Sequence, residues 1–263
     1  MQPIMGIYVV SDLHGAADAL KKAVPEGSTL LLLGDLINFL DYTTMTGILT
    51  EVFEVDAVQK VVDLRTAGRV EEAGSVMQER WAGREEEVRA EIGSRVREQY
   101  DAVFSALPEP TYLILGNVDN PQLVRVYAES SSSIHLPDGQ VVTLEGERFG
   151  FVGGALPTPL HVAGEITREE MAAKIHGLGE ADVVCSHIPP AVPELCFDML
   201  AGKYETGSEE LLTYIKDVQP RRAYFGHVHQ PLVSSMFVGR TLCVNVGYFR
   251  ATRRAYPHRR SEA

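Results

Sequence analysis

An apolar run that stops abruptly at a glycine and an aspartate limits most strongly what this chain can fold into. Residues 29–33 read Thr-Leu-Leu-Leu-Leu, and Gly34 and Asp35 follow directly. The run is too short to cross a membrane, which takes about 20 residues, and too apolar to lie on a wet surface. It predicts a central strand of a sheet that is buried on both faces by helices. Asp35 then lies at the carboxyl end of that strand, where open α/β sheets bind their ligands.

An aspartate after a strand often only caps a helix or closes a turn, and Asp35 by itself is open to that explanation. The pattern is not confined to Asp35, however, because apolar runs end at polar, ligand-type side chains at five places. These side chains are Asp12 and His14, Asp35, Asn117, His187, and His227 and His229. Strands of one parallel sheet bring their carboxyl ends to one edge, so we expect these side chains to converge there.

The expected cluster has the donors of a transition-metal site. Asp12 and His14 flank one residue, as do His227 and His229, so an extended segment directs each pair to one face. Aspartate, asparagine and histidine together suit manganese, iron, zinc or nickel, whereas calcium prefers oxygen donors only. The donors suffice for two ions, and two ions about 3.5–4 Å apart can clamp a phosphoryl group. We expect Asp35 to bridge them, because a carboxylate offers two oxygens.

In their order along the chain, these motifs resemble those of the calcineurin-like metallophosphoesterases. That family's motifs read DxH, GDxx(D/N), GN(H/x)(D/E), a single histidine after a strand, and GHxH, and the resemblance covers about residues 5–40 and 110–249. It implies an α/β fold, a four-layer α/β/β/α sandwich, with two divalent metal ions at the strand ends. The activity it implies is that of a metal-dependent phosphoric ester hydrolase, in which a hydroxide that bridges the ions attacks phosphorus in line.

The resemblance also implies a role for each site residue. The ligands of the first ion would be Asp12, His14, Asp35 and His229, and those of the second would be Asp35, Asn117, His187 and His227. The catalytic positions would be Asp35, Asn117 and His187. Asn38 matches the second polar position after the Gly-Asp pair and would be a supporting residue.

One position departs from a common pattern of the family. Many members carry a histidine directly after the motif asparagine, where it protonates the leaving group or holds the phosphate, but this chain has Val118. It resembles the subset with a residue other than histidine there, in which phosphodiester activity is common. A general acid typically contributes about 10²–10⁴-fold. We therefore expect a phosphodiesterase that favours diesters and good leaving groups over simple alkyl monoesters, with Asp119 contributing at most through water.

A segment between two predicted strands of the core, at about residues 41–108, has no strand pattern. It is rich in glutamate, arginine, valine and alanine, and apolar residues recur at helical spacing from Met77 to Leu107, which predicts one long helix. We expect a single domain over residues 1–263 that contains this segment as an all-helical insertion. The insertion could pack on the domain, cap the site or join a second copy in a homo-oligomer. Residues 250–263 carry arginines without an apolar pattern, which predicts a mobile basic tail.

Charge and cysteine content limit the expected partners and compartment. The formal net charge of −12 and the pI of about 5.1 disfavour binding to nucleic acid or anionic lipid. A metal cluster would reverse that sign locally, so a small phosphate ester is still an expected substrate. Cys185, Cys196 and Cys243 form no CxxC pair, and we recognise no signal peptide and no membrane-spanning run. These features predict a cytoplasmic protein.

Two other functions are compatible with the same fold. A scaffold without activity could bind partner proteins through the helical insertion, although it would have no chemical need for the complete ligand set. A nuclease is less compatible with the acidic charge and with the lack of a basic, aromatic-lined stripe. His135, His161, His176 and His258 lie outside the strand-end pattern. Tyr248 is expected to pack in the core or at the rim of the site.

Overall fold

Two β-sheets lie at the centre of the computed structural model, which describes residues 5–158 and 162–260. The strands are β1 (Ile7–Val10), β2 (Thr29–Leu32), β3 (Thr111–Leu113), β4 (Ile134–His135), β5 (Val141–Leu144), β6 (Glu147–Val152), β7 (Val183–Ser186), β8 (Phe197–Asp198), β9 (Lys203–Tyr204), β10 (Arg222–Phe225), β11 (Ser235–Val238), β12 (Thr241–Asn245) and β13 (Tyr256–Pro257). The helices are α1 (Leu20–Ala23), α2 (Ile48–Val52), α3 (Val55–Thr66), α4 (Val70–Trp81), α5 (Glu85–Ala106), α6 (Pro121–Glu129), α7 (Arg168–Gly177), α8 (Pro193–Cys196), α9 (Glu209–Val218) and α10 (Phe249–Thr252), with a 3-10 turn at Ala17–Ala19.

Both sheets are parallel in the middle and antiparallel only at edge strands. The first has the order β13-β1-β2-β3-β4, with β1 to β4 parallel and β13 antiparallel to β1. The second has the order β11-β12-β10-β7-β6-β5, with β12, β10, β7 and β6 parallel. The short strands β8 and β9 form a separate hairpin. Since the parallel strands of a sheet run the same way, their carboxyl ends form one edge of each sheet.

The consecutive leucines at positions 30–33, in and directly after β2, pack against the layers on both faces of the first sheet. Side chains alternate along a strand, so Leu31 and Leu33 face one way while Leu30 and Leu32 face the other. Leu31 and Leu33 pack with residues of the second sheet such as Phe151, whereas Leu30 and Leu32 pack with helix residues. All four leucines are fully buried.

The opposite face of the second sheet completes the layers. Val184 of β7 packs there against Met171 of α7 and Ile215 of α9. With helices outside both sheets and an apolar layer between the sheets, the α/β/β/α architecture expected from the sequence is confirmed.

Four helices, α2 to α5, connect β2 to β3. The long helix predicted from the apolar spacing is present as α5, but its predicted start at Met77 is wrong, because α4 ends at Trp81 and α5 begins at Glu85. Gly83 lies between them with φ of +76°, a left-handed conformation that a helix cannot contain. The helical spacing of apolar residues continues across the break, because Trp81 of α4 and Val88 of α5 pack in the same cluster with Phe53.

The expectation of a mobile tail from Arg250 is also wrong for the described part of that segment. β13 pairs with β1, Tyr256 opposite Val9, and the backbone N–H of His258 donates to the carbonyl of Ile7 at 2.8 Å. The buried His258 side chain contacts Glu147 Oε2 at 3.0 Å and Tyr224 Oη at 2.9 Å. Main-chain pairing and polar side-chain contacts order this strand, and neither needs an apolar pattern.

The three cysteines form no disulfide within the described residues. Cys185, Cys196 and Cys243 are free and buried. Among the helices of the described residues, each is too short or too polar to span a bilayer.

Candidate metal centre

The two carboxylates of the predicted cluster lie among histidines from both sheets. Asp35, after β2, has Oδ2 at 3.6 Å from His14 Nε2 and Oδ1 at 3.7 Å from His187 Nε2. Asp12, after β1, has Oδ1 at 3.7 Å from His229 Nε2. His187 follows β7 and His229 follows β10, so the second sheet brings its imidazoles to carboxylates of the first.

Asn117 joins the remaining histidine to the cluster. Its Oδ1 lies 3.1 Å from His187 Nε2 and 3.0 Å from His227 Nδ1. His14 Nε2 and His229 Nε2 are 3.3 Å apart. The structure therefore brings together every residue that the sequence predicted as a metal ligand.

Two groups of donors lie close enough to share a cation. Asp12, His14 and His229 form one group, and Asp12, Asp35 and His187 form the other, with the donor atoms of each within 4.8 Å of one another. Both are buried, apart from the partly exposed His229. Borderline divalent ions favour such a mixture of imidazole nitrogen and carboxylate oxygen, so the residues fit the metal ions that the fold implies.

The protonation of His14, His227 and Asp12 suits metal binding, whereas burial raises the pKa of Asp35 and, against the effect of burial, the hydrogen bond and charge of Asp12 raise the pKa of His229. Burial lowers the pKa of His14 to about 4 and that of His227 to about 3, so both imidazoles are neutral near pH 7. Burial alone would raise the pKa of Asp12, but the hydrogen bond and the charge of His229 hold it below its ordinary value. Neutral imidazole and ionised carboxylate are the forms that ligate a metal.

Backbone carbonyls hold two of these imidazoles in place. His14 Nδ1 lies 3.2 Å from the carbonyl of Ile37, and His187 Nδ1 lies 2.7 Å from the carbonyl of Leu33. A carbonyl only accepts, so each Nδ1 carries the proton. The lone pair is then on Nε2, the atom that faces the carboxylates, as in metal-binding histidines.

Four of the predicted ligands have a left-handed backbone. The φ angles are +55° at Asp12, +40° at His14, +55° at Asp35 and +67° at His227. This conformation costs roughly 1–2 kcal/mol for a residue with a Cβ atom. Main-chain bonds between loops maintain it: the N–H of Asp12 donates to Gly34 and that of His14 to Asp35. Such strain is typical of functional sites.

Asp119 has a role that differs from the water-mediated one allowed for it on sequence grounds. Its buried carboxylate accepts from the backbone N–H groups of Asp35, Leu36 and Gly116, each at 2.8 Å. It thereby ties the loop after β2 to the loop after β3. In the sequence, Asp119 is visible only as an acidic residue two positions after the motif asparagine. Its hydrogen-bond partners are backbone N–H groups, which no sequence pattern reveals.

The loops approach so closely that several positions have room only for glycine, among them Gly116 and Gly226. A Cβ atom on Gly116 would collide with Asp35 Oδ1, and one on Gly226 would collide with Ser11 Oγ and Asp12 Oδ2. The glycines of the Gly-Asn and Gly-His motifs therefore let the carboxylates lie against neighbouring backbone.

The other residues considered in the sequence lie in or near the centre as follows. Val118 packs its side chain on the apolar layer outside the first sheet, while its N–H donates to Asp35 Oδ1 at 3.1 Å. Buried Asn38 is held through its N–H by Gln99 of α5 at 2.7 Å, a contact that the sequence did not reveal. Tyr248 stacks on His229 at the rim.

The remaining histidines lie apart from this cluster. His135 stacks on Tyr112, His176 is exposed at the end of α7, and His258 holds the carboxyl-terminal strand. His161 lies outside the described residues.

The two sheets are parallel in the middle, and carboxylates and imidazoles lie together at the ends of their strands. This arrangement defines a metal-binding protein of the α/β class. A family model described as calcineurin-like phosphoesterase matches residues 5–231, and the chain belongs to this family. Membership implies metal-dependent hydrolysis of a phosphoester.

Two solved structures are similar to this chain, and the first of them supports the fold. One crystal structure is 16% identical, covers 92% of this chain and 90% of its own, and has a TM-score of 0.56. A protein of unknown function, AQ665 from Aquifex aeolicus, is 13% identical over 95% of this chain and 94% of its own, with a TM-score of 0.41. No protein of curated function matches the sequence.

Proposed function

We propose that this chain is a phosphodiesterase that binds two divalent metal ions at the strand-end cluster. The observation that carries the proposal is the position of Asp35, whose two carboxylate oxygens face different imidazoles, His14 on one side and His187 on the other. A carboxylate placed in this way is suited to bridge two cations. We assign one ion to Asp12, His14, Asp35 and His229 and the other to Asp35, Asn117, His187 and His227.

When bound, such a pair of ions polarises the phosphoryl oxygens and lowers the pKa of a water for in-line attack. The protein's own contribution is to hold the donors in place before substrate arrives. Three amides fix Asp119 between the loops, and backbone carbonyls fix the rings of His14 and His187. Preorganised charge of this kind is the largest part of many catalytic effects.

The preference for diesters rests on Val118. Its side chain is apolar and packs away from the cluster, so it donates no proton to a leaving group. Esters whose leaving group is already stable as an anion lose little from this, whereas alkyl monoesters lose the general-acid contribution of about 10²–10⁴-fold. We therefore expect fast turnover of aryl diesters and slow turnover of alkyl monoesters.

The test compares bis(p-nitrophenyl) phosphate with p-nitrophenyl phosphate and with an alkyl monophosphate, each with Mn²⁺, Zn²⁺, Ni²⁺ or Fe²⁺. Asp35→Asn keeps the size of the side chain and removes its charge, and exposed Asp217→Asn of α9 is the matched control. We expect Asp35→Asn to lose on the order of 10²–10³-fold, the effect of removing one group that stabilises the transition state.

Elemental analysis of the purified protein completes the experiment. Two equivalents of metal per chain, with diester hydrolysis that Asp35→Asn lowers by about 10²–10³-fold and Asp217→Asn retains, would support the proposal. Equal rates for the alkyl monoester would contradict the diester preference. Metal-bound protein without hydrolysis of any ester would favour the inactive scaffold instead.

A further inference from the structure

His229 differs from His14 and His187 in how its ring is held. The Nδ1 atoms of His14 and His187 donate to backbone carbonyls, which fixes the direction of Nε2. Within residues 5–158 and 162–260, no hydrogen bond reaches Nδ1 of His229. Its side chain is also more exposed, at 30% against 9% for His14 and 0% for His187. Asp12 Oδ1 lies 3.7 Å from Nε2, so the opposite side of the ring needs another group to restrain its rotation.

The aromatic ring of Tyr248 provides that restraint. The rings of Tyr248 and His229 are stacked, with centroids 4.0 Å apart and planes only 1° from parallel. The Tyr248 ring also meets His14 edge to face, with centroids 5.6 Å apart. A parallel contact on one face opposes rotation of the imidazole, and aromatic pairs are worth about 0.5–1.5 kcal/mol beyond their buried area.

Tyr248 is itself fixed from two directions. Its hydroxyl donates to Asp41 Oδ2 at 3.2 Å, and Asp41 also forms an ion pair with Arg250 at 3.7 Å. On the other side, the Asn245 side chain donates to the carbonyl of Val228 at 2.9 Å. The turn that carries Tyr248 is therefore attached to the loop that carries His229.

We propose that Tyr248 is a positioning residue for His229 and that Asp41 holds Tyr248 in place. The stacked tyrosine ring fixes the direction of the His229 imidazole, as backbone carbonyls do for His14 and His187. The inference rests on the proposed function, because it needs His229 to be a metal ligand. Asp41 precedes the helices α2 to α5, so the same contact connects that helical segment to the metal centre.

The test measures Co²⁺ binding by metal-free protein, through isothermal titration and the visible absorption of the bound ion. Tyr248→Leu removes the stack, and we expect one binding step to weaken by about 10–100-fold, as for other groups that orient metal ligands. The visible spectrum should change too, because the freed imidazole alters the geometry at the ion. Tyr248→Phe keeps the ring and should restore the wild-type spectrum, with affinity within about threefold, the effect of one hydrogen bond.

The chain offers a matched control in Tyr112, which stacks on His135 outside the centre. Tyr112→Leu should lower the melting temperature without changing affinity or spectrum, which separates a positioning role from a general loss of packing. Should Tyr248→Leu not fold, Tyr248→Met replaces it, since a flexible unbranched side chain can fill the space without a ring to stack on His229 and should weaken the same step. Wild-type affinity and spectrum in Tyr248→Leu, or in its replacement, would overturn the positioning role alone. Failure of the wild-type chain to bind Co²⁺ would overturn the proposed function as well.

Discussion

The strand-end cluster and the helical segment from α3 to α5 are stabilised in opposite ways. In the cluster, Asp12, His187 and Asp119 are fully buried and surrounded by polar partners. In the helical segment, ion pairs such as Arg69–Glu72 and Arg84–Glu87 lie on the surface, with each side chain more than half exposed. Buried polar contacts specify geometry, whereas exposed pairs contribute little. The same kind of substitution should therefore have different consequences in the two regions.

The largest effect is expected at Asp119. Asp119→Ala leaves three buried N–H groups without an acceptor, at about 1–3 kcal/mol each, so the free energy of unfolding should fall by at least about 3 kcal/mol. Asp119→Asn keeps one carbonyl oxygen, so its free energy of unfolding should lie between that of Asp119→Ala and that of the wild type. Urea denaturation of the metal-free proteins measures both. A loss below about 1 kcal/mol in Asp119→Ala would show that the two loops are held by other contacts.

Glycine-to-alanine exchange should change sign between the regions. In Gly226→Ala the new methyl group meets Ser11 and Asp12, so we expect a loss of about 1–3 kcal/mol and weaker metal binding. In Gly74→Ala of α4 the methyl group meets nothing within 4 Å, and alanine favours the helix by about 0.5–1 kcal/mol. Thermal unfolding and metal titration test the pair. Equal effects from the two exchanges would contradict the contrast.

A cavity in the helical segment should affect stability but not the metal centre. Val88 is 1% exposed and packs with Phe53 and Trp81. Val88→Ala removes two methyl groups and should lower the free energy of unfolding by about 1.5–3 kcal/mol, from lost transfer energy and residual cavity. Metal affinity at 25 °C should stay at the wild-type value, and a coupled loss of affinity would show that the helices and the centre act as one unit.

The smallest effect is expected at the surface ion pair of Arg69 and Glu72. Arg69→Gln should leave the urea midpoint unchanged within error, because solvent screens the two charges. Repeating the measurement at low ionic strength sharpens the test, since any contribution is greatest there. A clear shift of the midpoint even at high salt would mean that this pair has a structural role.

The sequence was most informative where a short motif follows a strand. The runs that end at Asp35, Asn117 and His187 predicted the convergence of the donors, although the sequence argument used the edge of one parallel sheet and the structure draws the donors from two sheets. The convergence was predictable because each parallel sheet collects the carboxyl ends of its strands at a common edge. The burial of Leu30 to Leu33 on both faces of the strand was likewise predictable, because consecutive leucines leave neither face polar.

What could not be predicted depends on partners that lie far apart in sequence and share no pattern. Asp119 binds main-chain groups, and the stack of Tyr248 on His229 depends on how two loops meet. The strand β13 is held in part by the side chain of His258, which contacts Glu147 and Tyr224. Both partners lie more than thirty positions away in the sequence. The break at Gly83 is different, since a glycine between two helical patterns is a local signal that could have been weighed against the spacing.

The left-handed backbone at Asp12, His14, Asp35 and His227 has a consequence for every mutational scan of this centre. Apart from glycine, aspartate, asparagine and histidine are the residues that most readily adopt that conformation. The amino acids that suit metal binding are therefore also those that suit the left-handed backbone. Exchange for asparagine then isolates the loss of the carboxylate charge or of the imidazole. Exchange for valine or isoleucine adds a conformational penalty, and a scan that uses them would mistake a folding defect for a chemical one.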